Sequence, residues 1–472
     1  MRKLFLLSLL MCLAQAVLVS GSGITVPGIG DRATGMGGAF RALANDWSAA
    51  WWNPAGLAYL QTSEFTAQLM AFSPRPNFTP NITAGSGAYP VGYLNGTEWN
   101  PKDRHFFYPN AGGFYKFPNK ENFNAGIAIL FPYGMGSRWD LFEPLPGYNN
   151  TVAMPAQDHE ITFVIVDIHP SIAKEVIKDK LSVGLGLSIQ NGDLAYQRVH
   201  LISAADVIAG GLERPYDNFV MDSKTELNGW GWGLNLGTLL KVSPKLNLAL
   251  TLRTGVTISM SGKTSQQVFF PKNDELVAAD TSLAPYLSGG AASNSPDLDS
   301  KLKLPAEIGF GIALFPSERF TLTADLSWTD WSRFDAWDFD YKTGSTVPGL
   351  GVAPPSKVAL NWDNVTSFGI GVEYLAKENL KVRAGYSSDP TPIPDQTLSP
   401  AFVDYSDKSI LNIGTSYFWD EYEIGYNFEY INFQNRTITG YSDVNGDGVF
   451  DNYPGEYTST LYGSHFYFTY RF

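Results

Sequence analysis

Residues 28–60 read GIGDRATGMGGAFRALANDWSAAWWNPAGLAYL. Five glycines (Gly28, Gly30, Gly35, Gly37 and Gly38) fall within the first eleven positions, and the stretch closes on Asn53, Pro54 and Ala55. Such glycine density costs backbone entropy and supplies little apolar surface, so the segment is a poor core and a poor strand. It needs an enclosure. The reading that follows is that the chain after about Ser63 forms a wall around it, a membrane barrel whose bore this segment plugs.

The two ends of the chain agree with export. Arg2 and Lys3 precede an apolar run from Leu4 to Leu13 and then Ala14, Gln15, Ala16, the charged, apolar, small-residue order of a secretory signal. Cleavage is expected after Ala16, or as late as residue 22. The single cysteine, Cys12, follows Met11 within that run, which argues against lipid attachment and leaves a mature chain without thiol or disulfide chemistry. At the other end, Phe466, Phe468, Tyr470 and a terminal Phe472 alternate with His465, Tyr467, Thr469 and Arg471. In a strand this places Phe466, Phe468, Tyr470 and Phe472 on one face, and the ending resembles the terminal strand of outer-membrane barrels, which implies Phe468, Tyr470 and Phe472 as the signal read by the barrel assembly machinery of a Gram-negative outer membrane.

Composition narrows the class. Loss of Arg2 and Lys3 takes the formal charge from −13 to −15, which argues against nucleic acid as a partner. Aromatic residues make up 14% and charged residues 17%, an unusual balance for a soluble protein of this length. Beyond the signal no run of about 18 apolar residues spans a bilayer as a helix. Period-two alternation instead recurs, as in Leu181, Val183, Leu185, Leu187, Ile189 and in Trp230, Trp232, Leu234, Leu236. Short polar links at Pro118–Lys120, Lys178–Lys180, Val242–Lys245, Pro316–Arg319, Ala376–Asn379 and Trp419–Glu421 alternate with long Gly-, Pro-, Asn- and Ser-rich stretches, as tight periplasmic turns and large external loops require. The expectation is an all-β membrane protein, a barrel of about fourteen antiparallel strands over residues 61–472, with residues 17–60 as an internal hatch.

Two strands depart from the pattern. The third carries Phe131, Pro132, Tyr133 and Gly134, and a central-strand proline removes a ladder hydrogen bond, so the wall is expected to bend or open there. The fourth, from Ile161, is apolar at both parities up to Ile168, which reads either as a greasy bore face or as a strand buried under the plug.

Several of these stretches together resemble the FadL-type outer-membrane transporters of long-chain fatty acids and other hydrophobic compounds. They are Asn53, Pro54, Ala55; Phe131 to Gly134; Leu227, Asn228, Gly229 with Trp230 and Trp232; Leu304, Pro305 with Trp328 to Ser332; Arg383 followed by Ser388, Asp389, Pro390; and the terminal Phe472. The resemblance implies a fourteen-stranded barrel, an N-terminal hatch, a greasy groove between two external loops, a ligand pocket in the bore, and a lateral exit beside the kinked third strand. It implies passive transfer of fatty acids or similar molecules by a monomer in contact with outer-membrane lipids, and no catalysis. Aromatic hydrocarbons are the alternative cargo; an outer-membrane lipase or an adhesive barrel is the alternative class.

The residues offer candidates for those roles. Leu201, Ile202, Val207, Ile208 and Leu212 have largely helical apolar spacing, and with Val268, Phe269 and Phe270 they are expected to line the groove or to pack on one another as a cap. Arg253 and Arg383 fall on polar parities and could receive a carboxylate, or pair internally with Glu373 or Glu429. Asn53, Pro54 and Ala55 are expected against the Pro132 bend, so that with Gly134 they form the gate. Asp443, Asn445, Asp447 and Asp451 begin like a calcium loop, although Pro454 stands where its bidentate Glu belongs. No nucleophile and base pair and no other cofactor signature emerges.

Overall fold

The computed structural model describes residues 23–81, 96–102, 105–118, 122–140, 159–213, 216–342, 344–347, 350, 356–402, 404–446 and 450–472. The expected signal segment lies outside them. Fourteen antiparallel staves form the wall: β1 Glu64–Pro80, β2 Phe106–Lys116, β3 Phe123–Trp139, β4 His159–Ile177, β5 Leu181–Ser203 and β6 Asn218–Ser243. β7 runs Leu246–Arg253 and resumes at Thr257–Phe269; β8 is Asp297–Lys303 and Glu307–Ser317. β9 is Phe320–Thr329 and Ala336–Tyr341, and β10 is Lys357–Ala359 and Val365–Lys377. β11 Leu380–Asp389, β12 Lys408–Trp419, β13 Tyr422–Phe433 and β14 Gly455–Arg471 complete the series. Each stave pairs with its sequence neighbours, and β14 closes on β1 along the whole of Glu64–Pro80, from Glu64 opposite Arg471 to Pro80 opposite Gly455.

Alternation is inside out relative to a soluble protein. Outward positions are large and apolar: Trp232 is 70% exposed, Ile413 68% and Phe472 60%, with Phe468 and Tyr470 on the same face. The intervening inward positions are polar and buried, as with Asn235, Asn412, Asn427, His465 and Thr469. Lipid takes the place of a core on the outer face, as a membrane barrel requires. At one end the turns are tight, and Asp179 (φ 55°) and Asp420 (φ 48°) take the left-handed conformation that Asx residues tolerate.

Inside the wall the N-terminal segment folds as α1 Asp31–Gly35, α2 Ala49–Trp52 and a 3-10 turn Pro54–Tyr59. Such short elements leave many backbone groups unsatisfied, and the polar inner face of the wall supplies partners. Asn235 donates to the carbonyls of Ala50 (2.8 Å) and Trp51 (3.0 Å), and Ser182 to that of Ala55 (2.9 Å). Gln68 donates to Gly28 O (2.8 Å) and accepts from Gly30 N (3.1 Å). Arg41 is held by Asp325, Glu307 and Thr251. Close approach fixes two glycines. At Gly37 (φ 65°) a Cβ would meet Tyr386 O at 2.7 Å, and at Gly237 one would meet Asn53 Oδ1 at 2.0 Å. On β4, the inward Ile161, Phe163 and Ile165 are buried in the same apolar cluster as Trp51 and Leu57, so that face is greasy and covered at once.

Candidate functional site

The wall is incomplete between β2 and β3. Their ladder holds from Lys116 opposite Asn124 to Ala111 opposite Ile129 and goes no further. Both edges then carry a residue without an N–H to donate, Pro109 on β2 and Pro132 on β3. β3 also gains a residue there: Leu130 pairs with Asp167 and Tyr133 with Ile165, so Phe131 and Pro132 together face the single Val166. That is a bulge, which bends its strand and disrupts pairing.

The groups bared by the bulge are taken up from within. Val26 N donates to Pro132 O (2.9 Å) and Gly134 N donates to Ile24 O (3.0 Å), so the N-terminal segment lies on β3 with Thr25 bridging Tyr133. The Asn110 side chain accepts from Phe131 N (2.9 Å). Beside this contact is an apolar cavity of about 90 Å³, lined by Ile24, Val26, Phe72, Phe106, Tyr108 and Ile431 among others. Lys408, Asp389 and Asp404 stand at its edge. Lys408 Nζ contacts Asp404 at 2.5 Å and Asp389 at 3.4 Å, so its charge is countered within the protein. In the external loop, burial pushes the Asp404 carboxyl up to about 7 while Lys408 pulls it down.

A second, more polar cavity of about 140 Å³ lies between the N-terminal segment and the wall, lined by Pro27, Gly38, Arg41, Trp52, Glu307 and Asp325 among others. Arg253 donates to Trp51 O (2.9 Å), lies 3.4 Å from the centre of a Trp51 ring and is 3.5 Å from Glu307. Arg383 donates to Glu373 (2.7 Å) and Ser416 (2.8 Å), and Arg32 reaches both oxygens of the same Glu373 at 2.8 Å each. Of the two roles the sequence left open for Arg253 and Arg383, the internal ion pair is the geometry present, with Glu373 and Glu307 as partners.

A closed barrel, an internal N-terminal segment and one unzipped seam are joined by likeness in sequence. The family model for outer membrane protein transport proteins (OMPP1/FadL/TodX) matches residues 11–472. The chain belongs to this family. Its curated relatives include the long-chain fatty acid transport protein of Escherichia coli (strain K12), 23% identical over 409 residues, covering 83% of this chain and 82% of the relative. Among solved structures, a Pseudomonas aeruginosa FadL homologue superposes with a TM-score of 0.71 at 18% identity, covering 97% of this chain and all of the other. The P. putida toluene transporter TodX gives 0.67 at 15%, covering 96% and 99%. As a member of the FadL/TodX family the chain is an outer-membrane transport protein of Gram-negative bacteria, not an enzyme.

Within this family fold the two external segments pack on one another. Ile202, Val268 and Phe270 share a buried cluster with Ala204, Phe219 and Met221, and Val207, Ile208 and Leu212 pack on its edge. Leu201 and Ile202 are not helical; they continue β5 and pair with Val220 and Phe219 of β6, and only Ala204–Asp206 turns, as a 3-10 element. Ladder hydrogen bonds outcompete the helical spacing. Phe269 is buried on the opposite parity of β7, outside that cluster.

The expected contact between Asn53, Pro54, Ala55 and the Pro132 bend is corrected. Asn53 donates to Thr238 O (3.1 Å) on β6 and Ser182 of β5 reaches Ala55, so this motif sits on the β5–β6 seam. Ile24–Val26 occupies the bend instead. In the calcium-like loop, Asp443 accepts from Gly446 N (2.7 Å) and Asp451 from Val444 N (2.9 Å), while Asp447 lies outside the described residues. No group of three or more acidic, His or Cys residues is placed to hold a metal among the described residues.

One cluster was invisible to sequence spacing. Asp167, His169 and Ser188, on β4 and β5, are fully buried on the inner wall; Asp167 contacts His169 Nδ1 (3.2 Å) and accepts from Ser188 (2.5 Å). The serine bonds the carboxylate and not the imidazole, so the hydroxyl lacks the base that would activate it as a nucleophile.

Proposed function

We propose that this chain takes up hydrophobic molecules of the long-chain fatty acid or hydrocarbon class passively. Ligand is captured on the Ile202–Phe270 cluster, passes to the apolar cavity beside Val26, and leaves sideways between β2 and β3 when Ile24–Val26 detaches from Pro132. Residues 17–60 act as the hatch and 61–472 as the wall. The observation that carries this reading is the unpaired β2–β3 seam, bridged at its bulge by the main chain of Ile24–Val26 and an Asn110 side-chain bond, next to a greasy cavity. Transfer between greasy sites draws on ~25 cal/mol per Å² of apolar surface and needs no energy source.

A sharper reading concerns the headgroup. Arg41, Arg253, Arg383 and Lys408 are each countered by a carboxylate, which favours an uncharged ligand over a carboxylate one. Uptake of a long-chain fatty acid and of its methyl ester into cells carrying this chain as their sole such transporter tests this. The ester is expected to enter at least as fast; exclusive uptake of the acid would contradict the headgroup reading, and uptake of neither would contradict the transport reading.

A further inference from the structure

The outer rim beside the open seam carries a third cavity, outside the proposed transport path. It measures about 670 Å³ and is lined by Ser73, Arg75, Asn77, Asn100, Lys102 and His105 among others. Among the described residues that line it are Arg75, Lys102 and His105 and no carboxylate, in a protein of formal charge −13. Among the described residues no carboxylate pairs with Arg75 or Lys102. Both are exposed, so their charges face outward. Arg138 on β3, the nearest further cation in sequence pairing, is committed to Glu160 at 2.6 Å.

The height of this cluster is set by its neighbours. On β1 the outward residues Phe65 and Leu69 belong to the lipid-facing band, and Arg75 lies beyond them on the same parity. Its guanidinium stands 5.3 Å over the ring of Tyr462, which in turn pairs with Tyr430 at 5.5 Å. Aromatic pairs of this kind mark the level where hydrocarbon gives way to headgroups. On β2, Phe107 is 61% exposed and His105 follows it toward the loop end, its Nδ1 2.8 Å from Ser73 Oγ. Lys102 N donates to Arg138 O (3.1 Å), which anchors the loop that carries it. The result is a cationic recess directly above a greasy rim.

We propose that Arg75, Lys102 and His105 form a binding site for the phosphate groups of an outer-leaflet lipid, whose acyl chains lie down the face of Phe107 and Tyr462. Arginine and lysine supply charge-assisted hydrogen bonds to phosphate oxygens, and the apolar rim supplies the tail contact. Pro74 and Gly136 border both this recess and the apolar cavity at the seam, so the bound lipid would stand at the mouth of the lateral gap.

Native mass spectrometry of the purified full chain, incubated in detergent with a diphosphorylated glucosamine lipid, tests this. The wild type is expected to retain one lipid. The Arg75→Ala/Lys102→Ala double variant should retain it roughly ten-fold less, whereas Arg75→Lys/Lys102→Arg keeps it. Heat-modified gel mobility reports whether each variant is folded, and should the alanine pair not fold, Arg75→Gln/Lys102→Gln, which keeps side-chain length without charge, takes its place with the same expected loss. Equal retention by the alanine variant, or equal retention of phosphatidylcholine, would overturn the proposal. Displacement of the lipid by millimolar inorganic phosphate would assign the site to free phosphate and overturn its lipid source.

Discussion

The β5–β6 and β2–β3 seams are built from the same kind of strand and end differently. β5 and β6 pair without a shift from Leu181 opposite Leu240 to Ser203 opposite Asn218, and Asn53–Ala55 docks on that seam through side-chain bonds and two close glycine contacts, at Gly184 and Gly237. β2 and β3 share six paired positions and then part, and the N-terminal segment completes them with its own main chain. A backbone group left unmade in an apolar setting costs ~1–3 kcal/mol, and lipid offers no substitute partner. The closed seam therefore needs no cover, whereas the open one is stable only with Ile24–Val26 in place. One segment thus serves as filler on one side and as a removable strand on the other.

The largest effect should come from erasing the difference. Deleting Pro132 removes the one extra residue of the bulge, so β3 can follow β4 in unbroken register. Uptake of the methyl ester is expected to fall about ten-fold or more, as for loss of a gate, with gel mobility of the folded barrel retained. Wild-type uptake would mean that ligand does not pass this seam.

A smaller effect is expected at the closed seam. Gly237→Val drives a side chain into Asn53 Oδ1 and Pro54 Cδ, an overpacking cost of about 1–3 kcal/mol. The melting temperature should drop by several degrees and residues 53–55 become accessible to protease, with uptake little changed. If uptake collapses, the Asn53–Ala55 motif gates after all.

The smallest effect concerns Asp31, which follows the Gln68 contacts at Gly28 and Gly30 and belongs to the plug rather than to the wall. Burial pushes its carboxyl up to about 7, opposed by His465 and Arg383. A native pKa above the unfolded value of 3.8 means the folded state holds the extra proton between those values. Stability therefore falls as pH rises from about 4 to 7. Asp31→Asn should melt higher than wild type at pH 8 and converge with it as pH falls toward 4; a pH-independent gap between the two would contradict the assignment.

Much of the wall could be read from the sequence because lipid on one face and a polar bore on the other impose period two on every stave. The tight Ala376–Asn379 link even places Glu373 opposite Arg383, although the third member, Arg32, comes from the plug and leaves no such trace. Pro132 was legible because a missing N–H is written in the residue type. Its partner was not: Ile24–Val26 engages through main-chain groups that any residue carries. The Asn53–Ala55 motif drew attention by its composition, yet its place is fixed by glycines on β5 and β6, more than a hundred residues away. At Leu201 and Ile202 the apolar spacing fits a helix, and only the extension of β6 alongside makes it a strand.

The central claim is that Ile24–Val26 must leave β3 for ligand to pass. Thr25 and Tyr133 face each other as a non-hydrogen-bonded pair flanked by the Val26–Pro132 and Gly134–Ile24 bonds, a geometry suited to a disulfide. Uptake by the Thr25→Cys/Tyr133→Cys variant, measured oxidised and reduced beside an Ala55→Cys/Ser182→Cys control, tests it most directly. Oxidation is expected to stop uptake in the first pair, reversibly on reduction, and to leave the control unchanged. Undiminished uptake through a fully cross-linked Thr25–Tyr133 pair would contradict the account.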